Sequence, residues 1–91
     1  MSKVIYKYRL EPDGAIFMPK GAKILTVQTQ RDESYLWAMV DPEAPAEQRI
    51  FRSVPTGMPF DERGMEYIGT FQIHGSLVLH VFEDTSVIVS E

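Results

Sequence analysis

Val4-Ile5-Tyr6-Lys7-Tyr8-Arg9-Leu10 alternates side-chain character residue by residue. Val4, Tyr6, Tyr8 and Leu10 fall on one side, and Ile5, Lys7 and Arg9 on the other. A period of two is the signature of an extended strand with distinct faces. The Val4/Leu10 face is expected to be core. The same period returns along the chain as far as Leu77-Val78-Leu79-His80-Val81-Phe82, with almost no helical spacing in between.

Working outward, Glu11-Pro12-Asp13-Gly14 is turn chemistry, because proline fixes φ and Asp-Gly accepts positive φ. A short second strand covers Ala15 to Met18, and Pro19-Lys20-Gly21 breaks it. The third strand runs from Ala22 to about Gln30, with Leu25 and Val27 on one face and Ile24 and Thr26 on the other. Arg31-Asp32-Glu33-Ser34 reads as a hairpin loop. In Tyr35-Leu36-Trp37-Ala38-Met39-Val40 both faces are apolar, which suits a central strand or one with a covered face. Trp37 is therefore expected to be mostly buried. Asp41 to Ala46 is a loop, and a fifth strand spans Gln48 to about Val54. Pro55-Thr56-Gly57-Met58-Pro59-Phe60-Asp61-Glu62-Arg63-Gly64 is the longest irregular stretch. Met65 to Ile73 forms a sixth strand, bent at Gly69. Leu77 to Glu83 forms a seventh after the His74-Gly75-Ser76 turn. Val87-Ile88-Val89 offers an extra C-terminal edge strand over 86–90.

Strands this short, with turns every ~8–12 residues, predict an all-β fold: a small β-sandwich or partly closed barrel of seven or eight mainly antiparallel strands. The 91 residues make a single domain, 1–91. A chain of this size buries roughly 60–65% of its unfolded surface, enough for one core.

Composition narrows the function classes. The chain has no cysteine, which removes disulfides, thiolate metal sites and cysteine nucleophiles, and fits a reducing cytoplasm. No apolar run has the length of a signal peptide or membrane span. The formal net charge is −4, so duplex DNA is not an expected partner.

His74 and His80 show no paired metal-ligand spacing, and no metal or cofactor is expected. The expected role of His80 is a half-buried histidine bonded to backbone, and that of His74 an exposed turn residue. No Gly-x-Ser-x-Gly elbow supports a serine nucleophile. The acidic pairs Asp32-Glu33, Asp61-Glu62 and Glu83-Asp84 lie in loops or at strand ends. A catalytic role is therefore not assigned.

The basic residues suggest an anion site. Lys3, Lys7 and Arg9 share one face of the first strand, and Lys20 and Lys23 bracket Gly21. Arg49 and Arg52 flank Phe51 and point to opposite faces. Arginine presents a planar fork to phosphate, Trp37 or Tyr35 a stacking surface, and Thr56-Gly57 a hydroxyl with a close amide. Trp37, Arg49, Arg52, Thr56 and Gly57 are the candidate ligand-binding residues. A solvated surface on which Arg52 pairs with a carboxylate such as Glu66 is the alternative.

Four separated segments also resemble a family of short uncharacterised phage and prophage proteins. They are Met18-Pro19-Lys20-Gly21-Ala22-Lys23-Ile24-Leu25-Thr26-Val27-Gln28, Leu36-Trp37-Ala38-Met39-Val40-Asp41-Pro42, Tyr67-Ile68-Gly69-Thr70-Phe71-Gln72 and Leu79-His80-Val81-Phe82-Glu83. The resemblance covers about residues 3–83 and implies a phage-type cytoplasmic protein with no catalytic assignment. The family often carries histidine where this chain has Met58.

The resulting expectation is a non-enzymatic accessory protein that counters host defence by sequestering an anionic nucleotide-type signal. The alternatives are a protein inhibitor that covers a host surface, and a structural or virion-associated module. The expected partners are a nucleotide-type small molecule or a host protein, with no membrane. A homo-oligomer is expected, a dimer in the first place, because the Tyr35–Val40 segment has two apolar faces and small domains gain stability by association.

Overall fold

The computed structural model describes residues 2–86. It contains seven strands in two antiparallel sheets, and no helix among the described residues: β1 (Val4–Arg9), β2 (Asp13–Pro19), β3 (Lys23–Gln30), β4 (Glu33–Val40), β5 (Ala46–Pro55), β6 (Met65–Ile73) and β7 (Leu77–Asp84). Sheet A has the order β1-β4-β3 and sheet B the order β2-β5-β7-β6. The sheets stack into an open sandwich, not a closed barrel, measuring 40 × 30 × 15 Å. The expected edge strand over 86–90 falls almost wholly outside the described residues.

Alternation decides which face of each strand is core. On β4, Leu36, Ala38 and Val40 are buried, while Tyr35, Trp37 and Met39 lie on the outer face of sheet A. Met18, Phe51, Phe71 and Val81 meet them from sheet B. Trp37 is only half-buried, because β4 is central within its sheet and yet, among the described residues, has no third layer over its outer face. On β1 the expected core face is only partly covered. Leu10 is buried, but Val4 and Tyr6 are 38% and 40% exposed, since β1 is an edge strand at the margin of the sandwich.

Two bulges shape the seam where β3 lies against β6. In β3 the register shifts between Ile24 and Thr26, so that Thr26 pairs with Trp37. An extra residue reverses the alternation locally, which puts Ile24 beside the core and leaves Leu25 44% exposed, the opposite of the simple alternating pattern. In β6 the shift between Tyr67 and Gly69 marks the expected bend. A Cβ on Gly69 would sit 2.9 Å from Val27 Cγ2, closer than side chains pack.

The turns are tighter than their composition suggests. Arg31 and Asp32 both take positive φ in a two-residue hairpin loop, and His74 and Gly75 take positive φ in the three-residue loop that ends at Ser76, which gives the twist that antiparallel strands favour. Glu33 and Ser34 consequently belong to β4, and Asp13, Gly14 and Pro19 to β2. The two hairpin tips meet: Asp32 Oδ1 accepts from the His74 amide at 2.9 Å, and Oδ2 lies 3.1 Å from His74 Nδ1.

Candidate functional site

The register of sheet B sets side chains on its outer face in two rows. Arg52 on β5 pairs with Phe82 on β7, and Phe82 with Tyr67 on β6. One step along, Val54 pairs with His80, and His80 with Thr70. The long loop after β5 closes over this grid. It starts with a turn in which the Met58 amide donates to the Pro55 carbonyl, with Gly57 at φ 89°. Glycine meets that conformation without a steric penalty.

The first row is aromatic with a cation at one end. Phe82 lies between Phe60 of the loop, at 4.9 Å between ring centroids, and Tyr67, at 5.6 Å. Phe60 and Tyr67 remain 45% and 57% exposed. Arg52 donates from Nε to Asp84 Oδ2 at 3.0 Å. Among the described residues its two Nη groups, which carry four of the five N–H donors, make no hydrogen bond, and the side chain is 41% exposed. The Asp84 carboxyl is held below the usual carboxylate range, first by the Ser86 hydroxyl and then by Arg52. The expected partner of Arg52, Glu66, is elsewhere: its register partner is Glu83 on the inner face of the sheet.

The second row is a chain of hydrogen bonds through one imidazole. Tyr67 OH lies 2.6 Å from Thr70 Oγ1, Thr70 Oγ1 lies 3.0 Å from His80 Nδ1, and His80 Nε2 lies 2.7 Å from Thr56 Oγ1. His80 thus bonds two side-chain hydroxyls and not the backbone. Its strand pairs it with Thr70, and the loop turn brings Thr56 down onto its other nitrogen.

The five sequence-predicted residues separate into three places. Arg52, Thr56 and Gly57 lie on or beside this face. Arg49 points inward, where Glu83 takes its Nε at 2.7 Å and its Nη2 at 2.8 Å, and the Ala22 carbonyl takes Nη1 at 2.6 Å. Its guanidinium is held more firmly protonated than usual, chiefly by the Glu83 bond. Glu47, Glu66 and Asp84 line the adjoining hollow of about 470 Å³, a rim that repels anions. Trp37 lies on the outer face of sheet A, across the sandwich. The sequence reading missed Tyr67, Thr70, His80, Phe82 and Phe60 as members of one site. Alternation alone puts His80 and Phe82 on one face of their strand, but the pairing that brings Thr70, Tyr67 and Arg52 beside them is long-range.

Residues 1–90 match the profile of a protein family described as a domain of unknown function, DUF7352. No curated protein and no solved structure matches the chain.

Proposed function

This chain belongs to the DUF7352 family, and we propose that it is a non-enzymatic binding protein for an anionic, partly aromatic small molecule of nucleotide type, held on the outer face of sheet B. The observation that carries this reading is the juxtaposition in one grid of an aromatic row, an arginine whose Nη groups make no hydrogen bond among the described residues, and a hydroxyl-imidazole chain. A flat base stacks on the exposed rings of Phe60 and Tyr67 beside Phe82. A phosphate oxygen takes the outward Nη groups of Arg52.

The second row supplies a directed donor. A neutral imidazole has one N–H and one lone-pair nitrogen. An acceptor placed at Thr56 selects the order in which Tyr67 donates to Thr70, Thr70 to His80 Nδ1, and His80 Nε2–H to Thr56, whose own O–H then points to the ligand. Every bond in that order polarises the next in the same sense. Arg49 takes no part, since its donors are committed within the fold.

The biological setting belongs to the same proposal. The four-segment resemblance supports a phage-type accessory protein in the bacterial cytoplasm, where withdrawing a nucleotide signal would blunt host defence. The exposed Phe17, Met58 and Phe60 support a homodimer, which light scattering distinguishes from a monomer of 10.4 kDa.

Calorimetric titration with cyclic dinucleotides and ADP-ribose-type compounds tests the binding claim. Arg52→Ala and Thr56→Val are each expected to weaken binding about ten- to a hundredfold, the loss of one charge-assisted or directed bond. No heat with any compound, or equal affinity for all three proteins, overturns the reading and favours a protein-covering role instead.

A further inference from the structure

A second surface, on the far side of the sandwich, has different chemistry. Ile5, Leu25, Thr26, Gln28, Gln30 and Trp37 line a hollow of about 290 Å³ on the outer face of sheet A. The β3 bulge builds it. By setting Leu25 and Thr26 together against Trp37, it places an aliphatic and a hydroxyl side chain along the same indole. Bulges of this kind commonly re-aim side chains beside binding sites. Ile5 and Leu25 are 61% and 44% exposed, an apolar floor left open beside the indole.

The lining specifies the ligand by its hydrogen-bond inventory. It contains no carboxylate and no cation. Lys7, whose ammonium borders the hollow, is engaged: it lies 4.3 Å from the Tyr35 ring centroid and 5.8 Å from the Trp37 ring centroid, and Nζ donates to Gln30 Oε1 at 2.8 Å. That bond leaves the Gln30 amide N–H₂ to donate outward. Gln28 makes no side-chain hydrogen bond among the described residues, so it offers both a carbonyl and an N–H₂. A phosphate supplies acceptors only and leaves the Gln28 carbonyl unmet. A polyhydroxylated ligand supplies both senses at every hydroxyl.

We infer that this hollow is a saccharide-binding site, in which one pyranose ring lies with its C–H face on the Trp37 indole and its hydroxyls bonded to Gln28 and Gln30. The apolar face of the sugar covers Ile5 and Leu25, and the hydroxyl rim meets the amides. The site lies on the opposite face from the proposed nucleotide site and is independent of it. As the sugar is uncharged, binding is expected to depend little on ionic strength, unlike the capture of a nucleic acid.

Trp37 is the chain's only tryptophan, so its fluorescence reports on this site alone. The test titrates the full chain with neutral cello-, malto- and N-acetylchito-oligosaccharides at low and high salt, and repeats it on Gln28→Ala and Gln30→Ala. The expected result is a saturable emission shift with one sugar class, unchanged by salt and weakened about tenfold or more in both variants, whose circular dichroism stays that of the wild type. Calorimetry on Trp37→Phe, which keeps a ring but not the indole, is expected to show weakened binding of the same sugar. The inference is overturned by an emission unmoved by all three sugar classes. It is overturned equally by emission that shifts on dilution without sugar as a dimer dissociates, which makes the face an interface between copies, or by a response to nucleotides or single-stranded nucleic acid in place of sugars.

Discussion

The Thr56 hydroxyl lies 2.7 Å from Nε2 of His80, and this bond joins the longest loop of the chain to the strand paired on both sides by β5 and β6. It fixes where the loop lands. Without it, Phe60 would still pack on Phe82, but the turn at Pro55–Met58 would be tied to β7 only by the Thr56 amide, which donates to the Val78 carbonyl at 3.2 Å. Thr56→Val keeps the shape and the backbone bond and removes the side-chain tie. Thermal unfolding of this variant is expected to show a stability loss of about 1 kcal/mol, the net value of an exposed neutral hydrogen bond. A loss of several kcal/mol would mean that the loop has a packing role beyond the one described.

Arg49 and Glu83 make the opposite case, a charge pair inside the sandwich. Their side chains are 16% and 12% exposed, and the guanidinium makes two bonds to the carboxylate and one to the Ala22 carbonyl. Removing either partner strands the other in a poorly solvated place. Glu83→Ala and Arg49→Met are each expected to cost about 3–5 kcal/mol, measured by urea denaturation. Replacing both is expected to cost less than the sum of the two single changes.

Phe51 and Trp37 should differ sharply, although both are large aromatics on strands. Phe51 is fully buried, and Phe51→Ala is expected to cost about 3–5 kcal/mol. Trp37 is half-buried on an outer face, so Trp37→Ala is expected to cost less than half as much. Denaturant midpoints of the two variants give the comparison, and equal losses would contradict the assignment of Trp37 to an outer face.

Much of this fold was legible from alternation alone. The grouping of Leu36, Ala38 and Val40 on one face and the opposed directions of Arg49 and Arg52 follow from a period of two, and the bend at Gly69 follows from a glycine inside a strand. What alternation could not supply was the effect of an added residue. The bulge after Ile24 reverses the roles of Ile24 and Leu25, and no local composition marks it. Nor could it supply which strands neighbour which. His80 looked like an isolated strand histidine because Thr56 and Thr70 are 24 and 10 residues away along the chain. Arg49 looked like an anion receptor because Glu83, which neutralises it, is 34 residues away.

Gly69→Ala tests the seam between the sheets. The new methyl would meet Val27 Cγ2 at 2.9 Å, and relief requires β3 and β6 to move apart or Val27 to change rotamer. A loss of about 1–3 kcal/mol is expected, partly restored when Val27→Ala is added. Hydrogen exchange should localise the loosening to these two strands.

Acid should act through Asp84. Its carboxyl is held below the ordinary range by the Ser86 hydroxyl and by Arg52, so the folded state favours the ionised form. The sign follows: the stabilisation is complete above the unfolded-state value of about 3.9 and is lost as pH falls through the lower folded-state value. Melting temperature is therefore expected to drop on acidification below about pH 4, and to drop less steeply in Asp84→Asn. Asp32 and Asp61 are depressed in the same direction, through the His74 amide and Arg63 respectively. Part of the slope should therefore survive in that variant.

The most direct test of the nucleotide site on the outer face of sheet B is an NMR titration of the isotope-labelled protein with a cyclic dinucleotide. The account predicts saturable shifts at Arg52, Thr56, Gly57, Phe60, Tyr67 and the His80 imidazole, with the Trp37 indole N–H unmoved. Shifts centred on Arg49 and its acidic rim, shifts centred on Trp37, or no shifts at all would contradict it.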